Sequence, residues 1–257
     1  MGGLAVAGRM DLDLHGLRDC AHIVYARPEC VLSQVPRAAL LDVLSEAERA
    51  KQARFLAPED AELYLVAHAL TRCLLARYLG LAPRALAFQA GARGRPELDG
   101  PAADSGVRFN LSHTRGLAAC GVSLHAAIGV DVEHTTRKVE LLRVGKRVFS
   151  PRERAGLAEL TGAAQRRRFF ELWTLKEAYV KATGKGLASP LQGVTFEAQG
   201  DDPVVVSFED PADGSEEAWC MRRHELPPQH RLAVALHAGR AARVRWEEAD
   251  FPSLLVS

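Results

Sequence analysis

Apolar residues along this chain recur at two spacings, and each spacing predicts an element. Leu63, Val66, Ala67, Leu70, Leu74 and Leu75 fall at steps of three and four, which aligns them on one stripe of a helix. Pro58 opens that helix and Gly80 ends it. A weaker helical pattern runs from Pro36 through Leu40, Leu41 and Leu44 into the charged stretch 45–51. Ser150-Pro151-Arg152-Glu153 reads as a capping box with proline at the first helical position, so another helix starts there. A longer one is expected over about 165–183, stopped by Gly184. Short apolar runs predict strands at 22–26, 85–90, 107–111, 117–123 and 126–132, and later at 194–196, 204–208, 219–222, 232–236 and 244–246. The Gly/Pro/Asp-rich stretch 91–106 predicts a loop.

Strand, helices and strands therefore occur twice. The expected fold is α+β, built from two similar halves, 1–126 and 127–257, related by a pseudo-twofold axis. Clefts between halves are favoured ligand sites, so the junction near residue 127 is where chemistry is expected.

Composition narrows the function classes. A chain of 257 residues, 47% hydrophobic and 25% charged, is ordinary for a globular protein. Its net charge of +1 provides no overall attraction to nucleic acid or an anionic membrane. Met1 to Met10 lacks a signal-like core, and no run approaches the ~20 apolar residues that cross a bilayer. Cys20, Cys30, Cys73, Cys120 and Cys220 form no Cys-x-x-Cys pair, which argues against a zinc site or disulfide framework. A soluble cytoplasmic protein is expected, with neither nucleic acid nor membrane as partner.

The candidate chemistry lies on two segments. Gly129-Val130-Asp131-Val132-Glu133 ends an apolar strand in two acids on one face, because side chains alternate along a strand. Oxygen ligands without Cys or clustered His favour Mg²⁺. On the helix, Glu177 and Lys181 stand one turn apart, the spacing of a common surface ion pair. Phe170, Trp173 and Glu177 share a stripe, however, so Glu177 borders the apolar face, where a carboxylate needs a cation. Ser112 and His113 follow a strand but point apart, and no Gly-x-Ser-x-Gly elbow exists, so a serine hydrolase is not indicated. Hydroxyl and imidazole there suit phosphate contacts. The turn Gly91-Ala92-Arg93-Gly94-Arg95-Pro96 is neither a Walker loop nor a dinucleotide fingerprint, and Gly184-Lys185-Gly186 is too short to assign. Arg166-Arg167-Arg168 and Lys146-Arg147 are solvated basic faces or docking points for an acidic partner.

Taken in order, the Gly-Arg-Pro turn, Phe-Asn-Leu-Ser-His-Thr, the Asp-x-Glu strand and Trp-Thr-Leu-Lys-Glu-Ala-x-x-x-Lys resemble the 4′-phosphopantetheinyl transferases of the long, Sfp-like type. The resemblance runs from about Leu44 to Leu187. It implies a pseudo-twofold monomer with coenzyme A in the central cleft. It also implies transfer of the phosphopantetheine arm to a serine of an acidic apo acyl or peptidyl carrier protein, releasing adenosine 3′,5′-bisphosphate. By the same resemblance Asp131, Glu133 and Glu177 hold Mg²⁺, with Asp131, Glu177 and Lys181 the catalytic set and Glu177 the candidate base. Lys51, Arg54, Arg95, Ser112, His113 and Lys181 contact the coenzyme, His113 near the 3′-phosphate and Arg95 near the adenine. Two positions depart at the phosphate contacts, Glu48 and Leu63 standing where relatives often place basic residues, and Thr114 replaces the usual serine. A Mg²⁺-dependent hydrolase and a non-catalytic coenzyme A or carrier-binding module remain open as alternatives.

Overall fold

The chain alternates short helices and strands around two long helices. In its first half, β1 (Cys20–Ala26) leads to α1 (Pro28–Gln34), α2 (Arg37–Val43), α3 (Glu46–Gln52) and the long α4 (Pro58–Leu79). Strands β2 (Ala87–Ala90), β3 (Pro96–Asp99), β4 (Val107–Thr114) and β5 (Leu117–Leu124) follow. The second half contains β6 (Ile128–His134), α5 (Leu141–Val148), α6 (Pro151–Ala158) and α7 (Gly162–Thr183). It continues with β7 (Val194–Glu197), β8 (Val205–Phe208), β9 (Cys220–Leu226), β10 (His230–Leu236), β11 (Arg243–Glu248) and α8 (Phe251–Leu255). This computed structural model describes residues 13–91, 94–184, 186, 191–198, 204–211 and 214–255. Met1 to Met10, Ala92, Arg93 and Lys185 lie outside the described residues.

The start and stop signals act as local chemistry requires. Ser45 with Glu48, and Ser150 with Glu153, close reciprocal capping boxes at α3 and α6. Helices α4 and α7, 22 residues each, end at Gly80 and Gly184 in the left-handed region, at φ 64° and 66°. Several features depart from the expected elements, the short α8 among them. Helix α1 starts on Pro28, and α5 carries its apolar positions Leu141, Val144 and Val148 among basic residues that mask the periodicity. Strand β3 falls inside the stretch read as loop; it buries only Leu98, so it has no apolar alternation to detect.

Two sheets dominate, ordered β11-β1-β5-β4 and β6-β10-β9, with small hairpins β2-β3 and β7-β8. Helix α4 packs on the first sheet through Leu65, Leu70, Leu74, Phe109 and Val122. Helix α7 packs on the second through Phe170, Leu175, Ala178, Ala233 and Ala235. A third core joins the two sheets: Ile23 and Ala119 meet Ile128, Val130, Val132 and Val234. The alternation along β6 thus sends its even residues into that inner core and its odd residues toward α7. Strand β11 pairs with β1 in parallel, and Phe251 and Leu254 of α8 join the first core. Residues 243–255, within the span expected to form the second half, therefore pack with the first, and they cover the edge β1 would otherwise expose.

Gly129 sets the distance between β6 and α7. A Cβ there would lie 2.0 Å from the Ala178 carbonyl oxygen and 2.4 Å from the Ala182 nitrogen. Only glycine admits that approach, and it brings Glu177 and Lys181 down onto the acids of β6.

Candidate functional site

Strand β6 is the edge of its sheet, and side chains meet four main-chain groups on its open side. Arg95 donates to the Ile128 carbonyl (2.8 Å), and the Val130 N–H donates to Asn110 Oδ1 (2.7 Å). Lys181 Nζ donates to the Val130 carbonyl (3.0 Å), and the Val132 N–H donates to Ser112 Oγ (3.2 Å). Residues of three motifs that are distant in sequence thus stitch one strand edge. Asn110 was not among the expected site residues; its signal was its place two residues before Ser112, on the same face of β4.

The odd residues of β6 carry the acids. Asp131 and Glu133 are 6% and 7% exposed. Asp131 Oδ1 accepts from Lys181 Nζ at 2.8 Å and from Ser112 Oγ at 3.3 Å. Its Oδ2 is buried with no hydrogen-bond partner among the described residues. Glu133 Oε1 accepts from Trp173 Nε1 at 2.8 Å and pairs with Arg137 at 3.2 Å. Glu177 completes the group from α7. Burial, and next the charge of Asp131, raise the Glu133 pKa against the pull of Arg137, Trp173 and Lys181. Burial and Asp131 push Glu177 up to about 7; Lys181 opposes that shift and Glu133 adds to it.

Glu133 and Glu177, whose charged forms are disfavoured, and Asp131, with a buried oxygen lacking a donor, form a site that a cation would relieve. Among the described residues no three His, Cys, Asp or Glu side chains form a ready-made metal cage. Mg²⁺ does not ask for one, since it binds through one or two carboxylates with water and substrate phosphate. The all-oxygen donor set has the chemistry that Mg²⁺ prefers, and Asp131 Oδ2 is the acceptor left without a donor among the described residues.

The expected coenzyme contacts fall into two groups. Lys51, Arg54 and His113 are exposed, and Lys51 Nζ lies 5.3 Å from the Tyr64 ring centre. Partial desolvation, then the charges of His68, Lys181 and Lys51, lower the His113 pKa. His113 therefore shares a neighbourhood with three basic groups, a field that attracts anions. Ser112 is buried at 6% and is engaged by β6 and Lys181. Arg95 is engaged as well: beyond Ile128 it donates to the carbonyls of Lys181 (2.6 Å) and Phe109 (2.8 Å). A cavity of about 440 Å³ opens beside Arg95, at the end of β4 away from Ser112, lined by Arg108, Phe109 and His125. None of the three acids lines it, so the clustered side chains locate the chemistry better than the concavity does.

The two departing positions have structural employment. Glu48 closes the α3 cap and binds Arg72 Nε (2.6 Å) and His68 Nδ1 (3.2 Å). Burial alone would raise its pKa, but bonds from His68, Arg72 and Ser45 hold it at about 2. Leu63 joins a small apolar cluster with Ala67 and Ala118. Lys176, the first lysine of the helix motif, is fully buried and pairs with Glu153 at 2.8 Å, away from the acids. Arg167 pairs with Glu225 and Arg168 with Glu171, while Arg166 donates to the carbonyls of Thr135 and Arg137.

Known proteins resemble this chain along most of its length. Residues 127–236 match the family model of the 4′-phosphopantetheinyl transferase superfamily, and residues 34–123 match that of the N-terminal part of 4′-phosphopantetheinyl transferase. The 4′-phosphopantetheinyl transferase HetI of Nostoc sp. is 40% identical over 149 residues, covering 58% of this chain and 63% of HetI. The match therefore spans less than two thirds of that relative. A 4′-phosphopantetheinyl transferase of Bacillus subtilis is 33% identical over 76% of this chain and 83% of its own length. Sfp of Bacillus subtilis is 30% identical over 79% and 86%. With identity of this level extending over most of a relative's length, and the acids, Lys181 and the Asn110–Ser112 stitch all inside the matched segments, the chain belongs to the 4′-phosphopantetheinyl transferase superfamily.

Proposed function

We propose that this protein moves the 4′-phosphopantetheine arm of coenzyme A onto a serine of an acidic apo acyl or peptidyl carrier protein, in a Mg²⁺-dependent reaction. The observation that carries this reading is the buried, unpartnered Asp131 Oδ2 beside Glu133, Glu177 and Lys181. Residues 1–126 supply the basic contacts to the nucleotide, Lys51, Arg54 and His113, and residues 127–257 supply the acids. Asp131, Glu133 and Glu177 would hold Mg²⁺, which when bound would supply neutralisation of pyrophosphate charge. Lys181 moves a donor from Asp131 and Ser112 to a pyrophosphate oxygen. Arg95 and Ser112 act at one remove, fixing β6 and the last turn of α7. The carrier serine oxygen bonds to phosphorus as the pyrophosphate P–O bond breaks, and adenosine 3′,5′-bisphosphate leaves with the electron pair. Glu177 is the candidate to take the serine proton; its pKa of about 7 belongs to the metal-free site, and Mg²⁺ bound to it would lower that basicity. No nucleophile of the protein's own is required, because the partner delivers it. Both sides of the cleft come from one chain, which favours a monomer. All five cysteines are free, which favours the reducing cytoplasm.

Incubation with coenzyme A, Mg²⁺ and an apo carrier tests the reading. The carrier gains the mass of one phosphopantetheine arm, and Asp131→Asn abolishes the gain without changing the circular dichroism spectrum. Coenzyme A breakdown without carrier would instead mark a hydrolase, and binding without turnover a passive module.

A further inference from the structure

Arg137 stands at the acid site without a place in the chemistry above. It follows β6, and its guanidinium lies 3.2 Å from Glu133 Oε1 and 5.8 Å from the Trp173 ring centre. The two partners differ sharply in exposure, with Arg137 at 47% and Glu133 at 10% of their side-chain surface. A cation half in water thus neutralises a carboxylate that is nearly enclosed. Its field also reaches Glu177, whose pKa it lowers. The loop under it is fixed independently of that pair. Arg166 donates to the carbonyls of Thr135 and Arg137, and the Thr135 N–H donates to the Gln229 carbonyl at 2.8 Å. The backbone is therefore held while the long side chain keeps its freedom.

Among the described residues two cations balance the acids: Lys181 on Asp131 Oδ1 and Arg137 on Glu133 Oε1. A divalent cation takes over that balancing. Glu133 would keep its Trp173 donor, and Arg137 would become a half-exposed cation whose partner no longer needs it. Resting on the functional reading above, we infer that Arg137 is a further catalytic residue, releasing Glu133 when a divalent cation binds and donating to an oxygen of the phosphate being transferred. It makes and breaks no covalent bond. Its part is to neutralise charge on that phosphate together with Lys181, the task for which a planar guanidinium is suited.

Arg137→Gln and Arg137→Lys test this, with binding read separately from turnover. Removing a competing cation should let the coenzyme-free protein bind Mn²⁺ about two- to fivefold more tightly, followed by electron paramagnetic resonance. Coenzyme A affinity measured calorimetrically with Mg²⁺ should weaken roughly tenfold in Arg137→Gln, and Arg137→Lys should recover part of it. Carrier labelling should show a lower kcat with the KM for the carrier unchanged. A purely structural pair would weaken Mn²⁺ binding or leave it unaltered and would spare coenzyme A affinity, and either result overturns the inference. Should Arg137→Gln melt at the assay temperature, Arg137→Lys carries the test, and coenzyme A affinity equal to wild type again overturns it. Both binding measurements stand even if wild type labels no carrier, an outcome that would count against the transferase reading instead.

Discussion

Replacing Lys176 with methionine removes the cation in direct contact with a fully enclosed carboxylate. Lys176 and Glu153 are 0% and 1% exposed at the side chain, and their contact is 2.8 Å. Glu153 also accepts from the Ser150 and Phe196 N–H groups, each at 2.8 Å, so the pair ties α6, α7 and β7 together. Lys176 further donates to the carbonyls of Leu191 and Val194. Burial lowers the Lys176 pKa, and Glu153 opposes that shift. Methionine fills the space of the alkyl stem but leaves a buried carboxylate without its contacting counter-ion, with only the more distant Arg168 charge acting on it, a loss of about 3–5 kcal/mol. Against a typical stability of roughly 5–15 kcal/mol, that is a large fraction. Urea titration followed by circular dichroism measures it. The double variant Lys176→Met/Glu153→Gln, which removes both charges, should recover at least ~1 kcal/mol relative to the sum of the single changes. A loss below ~1 kcal/mol for Lys176→Met, or strict additivity in the double variant, would refute the reasoning. Labelling by Lys176→Met below its melting temperature should persist, because this lysine faces the helix-to-sheet core and not the acids.

Two further outcomes follow from the site. The Glu177 carboxyl has a folded-state pKa of about 7, above its ordinary value of 4.5. The folded protein therefore binds the extra proton between those values, and stability falls as pH rises through that window. Glu177→Gln should stabilise the metal-free protein by up to about 3 kcal/mol at pH 8 and by nothing near pH 4; a pH-independent difference in chemical denaturation would contradict this. Arg95→Met strands the carbonyls of Phe109, Ile128 and Lys181 at once and should cost about 2–4 kcal/mol, with Arg95→Lys recovering only part because an ammonium cannot span all three. A melting temperature equal to wild type in Arg95→Met would show those bonds to be dispensable.

Much of the site was legible from the chain because it rests on local periods. Alternation along a strand puts Asp131 and Glu133 on one face, and helical spacing puts Glu177 and Lys181 on one stripe, whatever the rest of the protein does. The start and stop of α4 were equally plain, from Pro58 and Gly80. Strand β3 and helix α5 were not, since one buries a single apolar residue and the other hides its stripe among arginines and lysines. Only the tertiary structure decided which residues of a motif act together. Lys176 and Lys181 are both lysines of one helix motif, yet one lies in a closed core with Glu153 and the other reaches Ser112, 69 positions earlier in the chain. The stitching of β6 by Arg95, Asn110 and Ser112, the Trp173 bond to Glu133 and the return of β11 to β1 are of the same kind. A local sequence fixes the direction a side chain takes from its own backbone. Its partner is fixed only when distant segments pack, as Gly129 shows by letting α7 settle onto β6.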